Sequence, residues 1–217
     1  MKIALISGSP RGDKTTSLIL LKGLKEYLNK ENVEEIIELV WNDPYKGEKD
    51  FEEVLRSDAI VFAFPLYVDS IPSHLLNVLV DFEEYINKNK DTNYNKTNVY
   101  AIVNNGFFDG KQNCLALENI GHFCKKVGFN FKGGIGIGGG GMLSNLDNVP
   151  FGSGPKKNIG NELSKLSKNI KIGEDNGLIF TEPNFPRFLY KIMAQIGWRN
   201  SIKKNGLKLR DLKRKIT

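Results

Sequence analysis

Residues 8–17 read GSPRGDKTTS, a stretch that closes an apolar run and opens a helical pattern. Ser9, Thr15, Thr16 and Ser17 offer hydroxyl donors, and Arg11 offers a charged one. At a helix N-terminus the backbone N–H groups lack partners and carry partial positive charge. This set of side chains there suits a dianionic phosphate. The plain alternative is a strand–turn–helix junction capped by Thr16 or Ser17. A nucleoside-triphosphate loop, GxxxxGK[ST], is a further alternative, but Asp13 stands where its second glycine belongs. A carboxylate there repels phosphate, and any side chain blocks close approach of the backbone. The apolar run that ends Phe-Ala-Phe-Pro also carries no acid to hold magnesium.

Two further segments carry binding chemistry. In FPLYVDSIPS, Pro65, Leu66, Tyr67 and Val68 could wall a flat conjugated ligand and meet its edge with backbone polar groups. In VNNGFFDG, Asn105 can bond a heterocycle edge, Gly106 admits close backbone approach, and Phe107 follows. Each has a bland counterpart, a core-edge loop and an Asn-Gly turn. GGIGIGGGGM at 133–142 matches GxGxxG only through its abundance of glycine. It is not at the first strand and no helix is expected after it, so it reads as a flexible loop beside the site.

The chain offers few conventional catalysts. His74 and His122 are the only histidines and Cys114 and Cys124 the only cysteines, with no CxxC spacing. Neither a zinc site nor a cysteine-ligated iron–sulfur cluster can be assembled from them. The cysteines fall in one expected helix ten residues apart, roughly 15 Å along its axis, too far for a disulfide. No Ser–His–Asp or paired-carboxylate constellation is present. His74 reads as decoration of its helix, and Asp69 and Asp109 as solvated loop charges.

The elements that must position these loops alternate regularly. Strands are expected at 2–7, 34–40, 58–64, 98–104 and 129–137, and helices at 16–29, 50–56, 72–87, 111–127 and 155–172. The strands are apolar runs rather than alternating ones, the pattern of a parallel sheet covered on both faces. Right-handed crossovers and five strands favour the order 2-1-3-4-5, a three-layer α/β sandwich. Ligands then bind at the carboxyl ends of strands 1, 3 and 4, where the three candidate loops lie. Residues 87–96 read as a polar loop.

Residues 1–172 form one expected domain and 173–217 a basic, partly helical extension. Its helix, 185–204, places Phe185, Phe188, Leu189, Ile192, Met193 and Ile196 on one face. From Phe185 to Thr217 ten Lys/Arg stand against one acid, so these 33 residues carry +9. The chain total is +6, which leaves −3 for the other 184. No apolar run approaches the roughly 18 residues of a bilayer span, and MKIALISGSPRG is no secretion signal. A cytoplasmic protein is expected.

GSPRGDKTTS, FPLYVDSIPS and NNGFFDGKQNCLALENIGHFC, in this order and spacing, resemble the NAD(P)H-dependent FMN reductase family, which has a flavodoxin-like fold. The resemblance covers about residues 1–172. It implies FMN held non-covalently, reduced by NADH or NADPH, and oxidised by a small acceptor such as free flavin, a quinone or a nitro compound. It implies phosphate on Ser9, Arg11, Thr15, Thr16 and Ser17. Pro65, Leu66, Tyr67 and Val68 then lie along one side of the isoalloxazine, and Asn105, Gly106 and Phe107 along the other. Thr15 stands where relatives often carry Asn. The related iron–sulfur flavoproteins have a compact cysteine cluster that this chain lacks. The resemblance also implies a homodimer. A non-enzymatic electron carrier is the alternative, against which the basic charge speaks, since carriers dock through acidic surfaces. For the tail, packing on the protein itself or its dimer mate is preferred to contact with an anionic membrane, and nucleic acid is not expected.

Overall fold

A computed structural model describes residues 1–13, 15–89, 97–146 and 148–213, with side chains described up to Asp211. It divides into two compact units, Met1–Pro183 and Asn184–Thr217.

The first unit alternates strands and helices. The strands are β1 (Lys2–Ser7), β2 (Glu35–Val40), β3 (Ala59–Pro65), β4 (Asn98–Asn104), β5 (Asn130–Ile137) and β6 (Gly177–Thr181). The helices are α1 (Thr16–Lys30), α2 (Glu48–Leu55), α3 (Ser73–Lys88), α4 (Cys114–Val127), α5 (Gly140–Leu143) and α6 (Lys157–Ile172). All pairings are parallel and the order is β2-β1-β3-β4-β5-β6. The sheet therefore has six strands, not the expected five. The sixth is only five residues long and half exposed, with Leu178, Ile179 and Phe180 as its short apolar run. It also moves the boundary of the compact unit beyond the expected residue 172.

The apolar strands are explained by burial on both faces. Ala4, Ile6, Ile60, Phe62 and Phe64 join a core beneath α2, α3 and α4, completed by Leu75, Phe82 and Leu117. Ile3, Leu5, Val61, Ala63 and Ile102 point the other way, into a core with Leu20 and Leu24 of α1 and Leu163 and Leu166 of α6. Successive residues of a strand face opposite layers, so neither can be polar without loss. Glycine weakens the apolar pattern of β5 for a steric reason. Gly133 has φ +88°, and a Cβ there would lie 2.2 Å from the Gly177 oxygen of β6.

Other departures are local. α1 is capped by Thr15, whose side chain accepts a hydrogen bond from the Leu18 N–H, rather than by Thr16 or Ser17. Asn87 and Lys88 continue α3, and residues 90–96 of the expected polar loop lie outside the described residues. The helices expected at 111 and 155 each begin with a 3-10 turn, Gly110–Asn113 and Gly154–Lys156.

The second unit contains α7 (Arg187–Lys204) and a 3-10 turn, Leu209–Lys213. α7 buries none of its residues. Phe188, Ile192 and Ile196 follow one another at four-residue spacing, but the next positions on that face are Arg199, Asn200 and Lys203. Trp198 falls away from this face, whereas Ile202, about four turns on, comes back to the side of Phe188. Among the described residues, no helix is long and apolar enough to cross a membrane.

Candidate functional site

The C-terminal ends of β1, β3 and β4 and the start of α5 surround a groove of about 280 Å³. Ser9, Arg11, Thr15, Thr16 and Ser17 line one end. Pro65, Leu66 and Tyr67 line a wall, and Asn105 and Gly106 sit beside it. These are all but two of the side chains selected from the sequence. Val68 and Phe107 do not line the groove; Val68 is 99% exposed at a turn tip and Phe107 is 62% exposed. Lys14 of the first motif lies outside the described residues.

Hydroxyl bonding separates the residues of the first loop. The Thr16 hydroxyl donates to the Gly140 carbonyl at 3.0 Å, so its single proton is committed to tying α1 to α5. Thr15 and Ser17 act instead as acceptors, from Leu18 N–H at 3.3 Å and Asn104 Nδ2 at 2.9 Å. Their protons are left for a ligand. Ser9, Thr15 and Ser17 are buried, whereas Arg11 is exposed. With the N–H groups of the first turn of α1, this end gathers hydrogen-bond donors of the kind that suit an anion.

Asn104, which the sequence reading passed over, joins the loops. Its Nδ2 donates to Ser17 Oγ and, at 3.1 Å, to the Phe64 carbonyl, which fixes the amide's orientation. Its backbone oxygen accepts from Leu66 N–H at 2.7 Å. The next residue is oriented as firmly. Asn105 Nδ2 donates to the Asp109 carbonyl at 3.1 Å, leaving Oδ1 buried without a protein donor. A buried acceptor without a partner costs about 1–3 kcal/mol, so this oxygen suits a ligand N–H.

The wall is held by a tight turn. Tyr67 and Ser70 exchange backbone hydrogen bonds at 3.1 and 3.0 Å, with Val68 and Asp69 at φ +48° and +57°. Two positive φ values make this a type I′ geometry. Val68 is β-branched and strained there. Asn119 of α4 braces the turn through a 3.0 Å bond to Ser70 Oγ.

Residues 133–137 of the Gly-rich segment belong to the expected fifth strand, β5, whereas Gly140–Leu143 form the single turn of α5 where a loop was expected; Gly140, Gly141 and Ser144 line the groove. The run of glycine was a legible signal; nothing marked Ser144. A Cβ at Gly138 would lie 1.9 Å from the Phe108 oxygen, so the glycine is required by close packing against the β4 loop.

Among the described residues lining the groove there is no His, Cys, Asp or Glu. His74 lies behind the β1 loop, where burial lowers its pKa against the opposing effect of backbone hydrogen bonds with Trp41 and Gly8. Cys114 and Cys124 are both free on α4. Burial raises the pKa of the Cys124 thiol, and a hydrogen bond to Glu118 raises that of Cys114. Among the described residues, no group of three His, Cys, Asp or Glu side chains could hold a metal ion.

No family model and no curated protein matches the chain. Solved structures do. An NADH:FMN oxidoreductase in its apo form aligns with TM-score 0.54 at 14% identity, over 82% of this chain and 94% of its own. An NADPH-quinone reductase from P. pentosaceus aligns with TM-score 0.53 at 14% identity, over 78% and 96%. An azoreductase from Bacillus anthracis aligns with TM-score 0.52 at 14% identity, over 78% and 99%. The fold is flavodoxin-like. The groove sits where that strand order places ligands, at the switch between β1 and β3.

Proposed function

We propose that the protein is an oxidoreductase of the NAD(P)H-dependent FMN reductase kind, with FMN held in this groove. The observation that carries the reading is one groove lined both by the residues that open α1 and by Asn105, whose buried Oδ1 has no protein donor. One end answers a dianion and the other a heterocyclic N–H, which together describe a flavin mononucleotide. The structural neighbours named as an FMN oxidoreductase, a quinone reductase and an azoreductase support the same chemistry.

In this reading the Ser9, Thr15 and Ser17 hydroxyls, the first-turn N–H groups of α1 and Arg11 hold the phosphate. Thr16 acts indirectly by fixing α5 to α1. Asn105 Oδ1 accepts a ring N–H. Pro65, Leu66 and Tyr67 exclude water from one flank, and Gly106 and Gly140 allow the backbone to approach. When bound, FMN supplies hydride acceptance from NADH or NADPH and release of one or two electrons to a small acceptor.

Steady-state oxidation of NADH and of NADPH by the FMN-loaded protein, with a quinone, a nitroaromatic or free FMN as acceptor, tests the activity. Turnover that requires bound FMN is expected. An FMN-loaded protein that is reduced by neither nucleotide contradicts it and favours the carrier alternative.

A further inference from the structure

The orientation of Asn105 is set by one peptide unit. The Asp109 carbonyl, which accepts from Asn105 Nδ2 at 3.1 Å, and the Gly110 N–H belong to the same planar amide. The Gly110 N–H donates to Glu182 Oε1 at 3.2 Å. The amide is thus gripped at both ends, by Asn105 on one side and on the other by a carboxylate 72 positions from Gly110. Turned over, the Asn105 side chain would set its oxygen against the Asp109 carbonyl. It would then offer a ligand N–H donors where it now offers an acceptor.

The end of β6 places Glu182. Thr181 closes the strand, and its carbonyl accepts from Gly138 N–H at 2.9 Å. The Glu182 carbonyl accepts from Asn158 Nδ2 of α6 at 3.2 Å. Gly110 is buried between β5 and β6, where a Cβ would lie 2.6 Å from both the Gly136 and the Thr181 oxygens. The half-buried Glu182 side chain therefore meets a close-packed amide. A carboxylate is a stronger acceptor than a neutral oxygen, and it polarises the amide so that the Asp109 carbonyl accepts better in turn. Glu182 does not itself line the groove.

We propose that Glu182 is a positioning residue for the cofactor. Through the Asp109–Gly110 amide it holds Asn105 with Oδ1 turned to the ligand, so that the groove selects a ring edge presenting an N–H over one presenting a lone pair. The inference rests on the flavin reading of the groove.

Fluorescence titration of FMN on Glu182→Ala, Glu182→Gln, Asn105→Leu and the Glu182→Ala, Asn105→Leu double variant tests it. Glu182→Ala is expected to weaken FMN binding about fivefold, as for loss of one hydrogen bond. Glu182→Gln, whose amide oxygen still accepts from Gly110 N–H, should restore most of the affinity. Because Glu182 acts through Asn105, its loss should cost nothing further once Asn105 is leucine. Unchanged affinity in Glu182→Ala, additive losses in the double variant, or a glutamine variant as weak as the alanine one overturns the proposal. NMR of the full-chain apoprotein reads the same link without ligand. There Glu182→Ala should speed hydrogen exchange at Gly110 N–H and shift the Asn105 side-chain amide resonances. If wild type binds no FMN while both signals respond, the flavin reading fails and the orientation of Asn105 by Glu182 stands. Signals that do not respond overturn the proposal whether or not FMN binds.

Discussion

At the scale of single residues, hydrogen bonding separates side chains proposed to touch a phosphate from Thr16, which holds the loop. Arg11→Ala should weaken FMN binding by about 1.5–3 kcal/mol, the usual value of a hydrogen bond to a charged group. Thr16→Ala should cost less, because its proton already belongs to Gly140. Fluorescence titration of FMN reads both, and equal losses contradict the division. Asn105→Leu removes an acceptor that has no protein partner. It should lower FMN affinity about tenfold while the apoprotein melts within about 1 kcal/mol of wild type. Apoprotein destabilised by several kcal/mol with unchanged FMN affinity would make Asn105 a structural residue. Residue types were legible in the sequence because strand ends and glycines mark ligand loops. The sharing of hydroxyl protons was not, since Thr16 and Gly140 are 124 positions apart.

At the scale of elements, the strained turn and the first turn of α3 make separate predictions. Val68 pays a conformational cost at φ +48° that Asn tolerates. Val68→Asn should therefore stabilise the protein by about 1 kcal/mol in thermal melts. A variant no more stable than wild type would show that the turn is not strained. His74 has a folded pKa below its ordinary value of about 6.5. The unfolded chain thus takes up the proton first, and stability present above about 6.5 is lost as pH falls through it. Asp43 and Lys46 act on the same ring with opposite signs. His74→Gln should flatten the fall in stability between about pH 7 and pH 5; parallel profiles would contradict this. β1, β3 and β4 could be read because they are apolar on both faces. β6 is only five residues long and follows a polar, glycine-flanked stretch outside the strand–helix alternation, so in the sequence it reads as part of the tail. α5 was hidden because its GGML sequence carries no helical propensity of note.

At the scale of the whole molecule, the −3 of the first 184 residues and the +9 of the tail describe two differently built parts. α7 has apolar side chains and no buried residue, with Phe188 64% and Met193 60% exposed. A second copy of the chain covering this row is the proposal that follows. Light scattering at micromolar concentration should give a dimer for the full chain and a monomer for a chain ending at Pro183. A monomeric full chain that co-sediments with anionic vesicles in a salt-sensitive way would assign the row to a membrane surface instead.

The flavin groove itself is tested most directly by adding FMN to the purified protein and recording the visible spectrum of the desalted sample. The account predicts oxidised-flavin bands that co-elute with the chain at one FMN per chain, shifted from those of free FMN, and lost from an Arg11→Ala, Asn105→Leu double variant. A chain that elutes colourless, or a double variant that retains FMN as well as wild type, would contradict it.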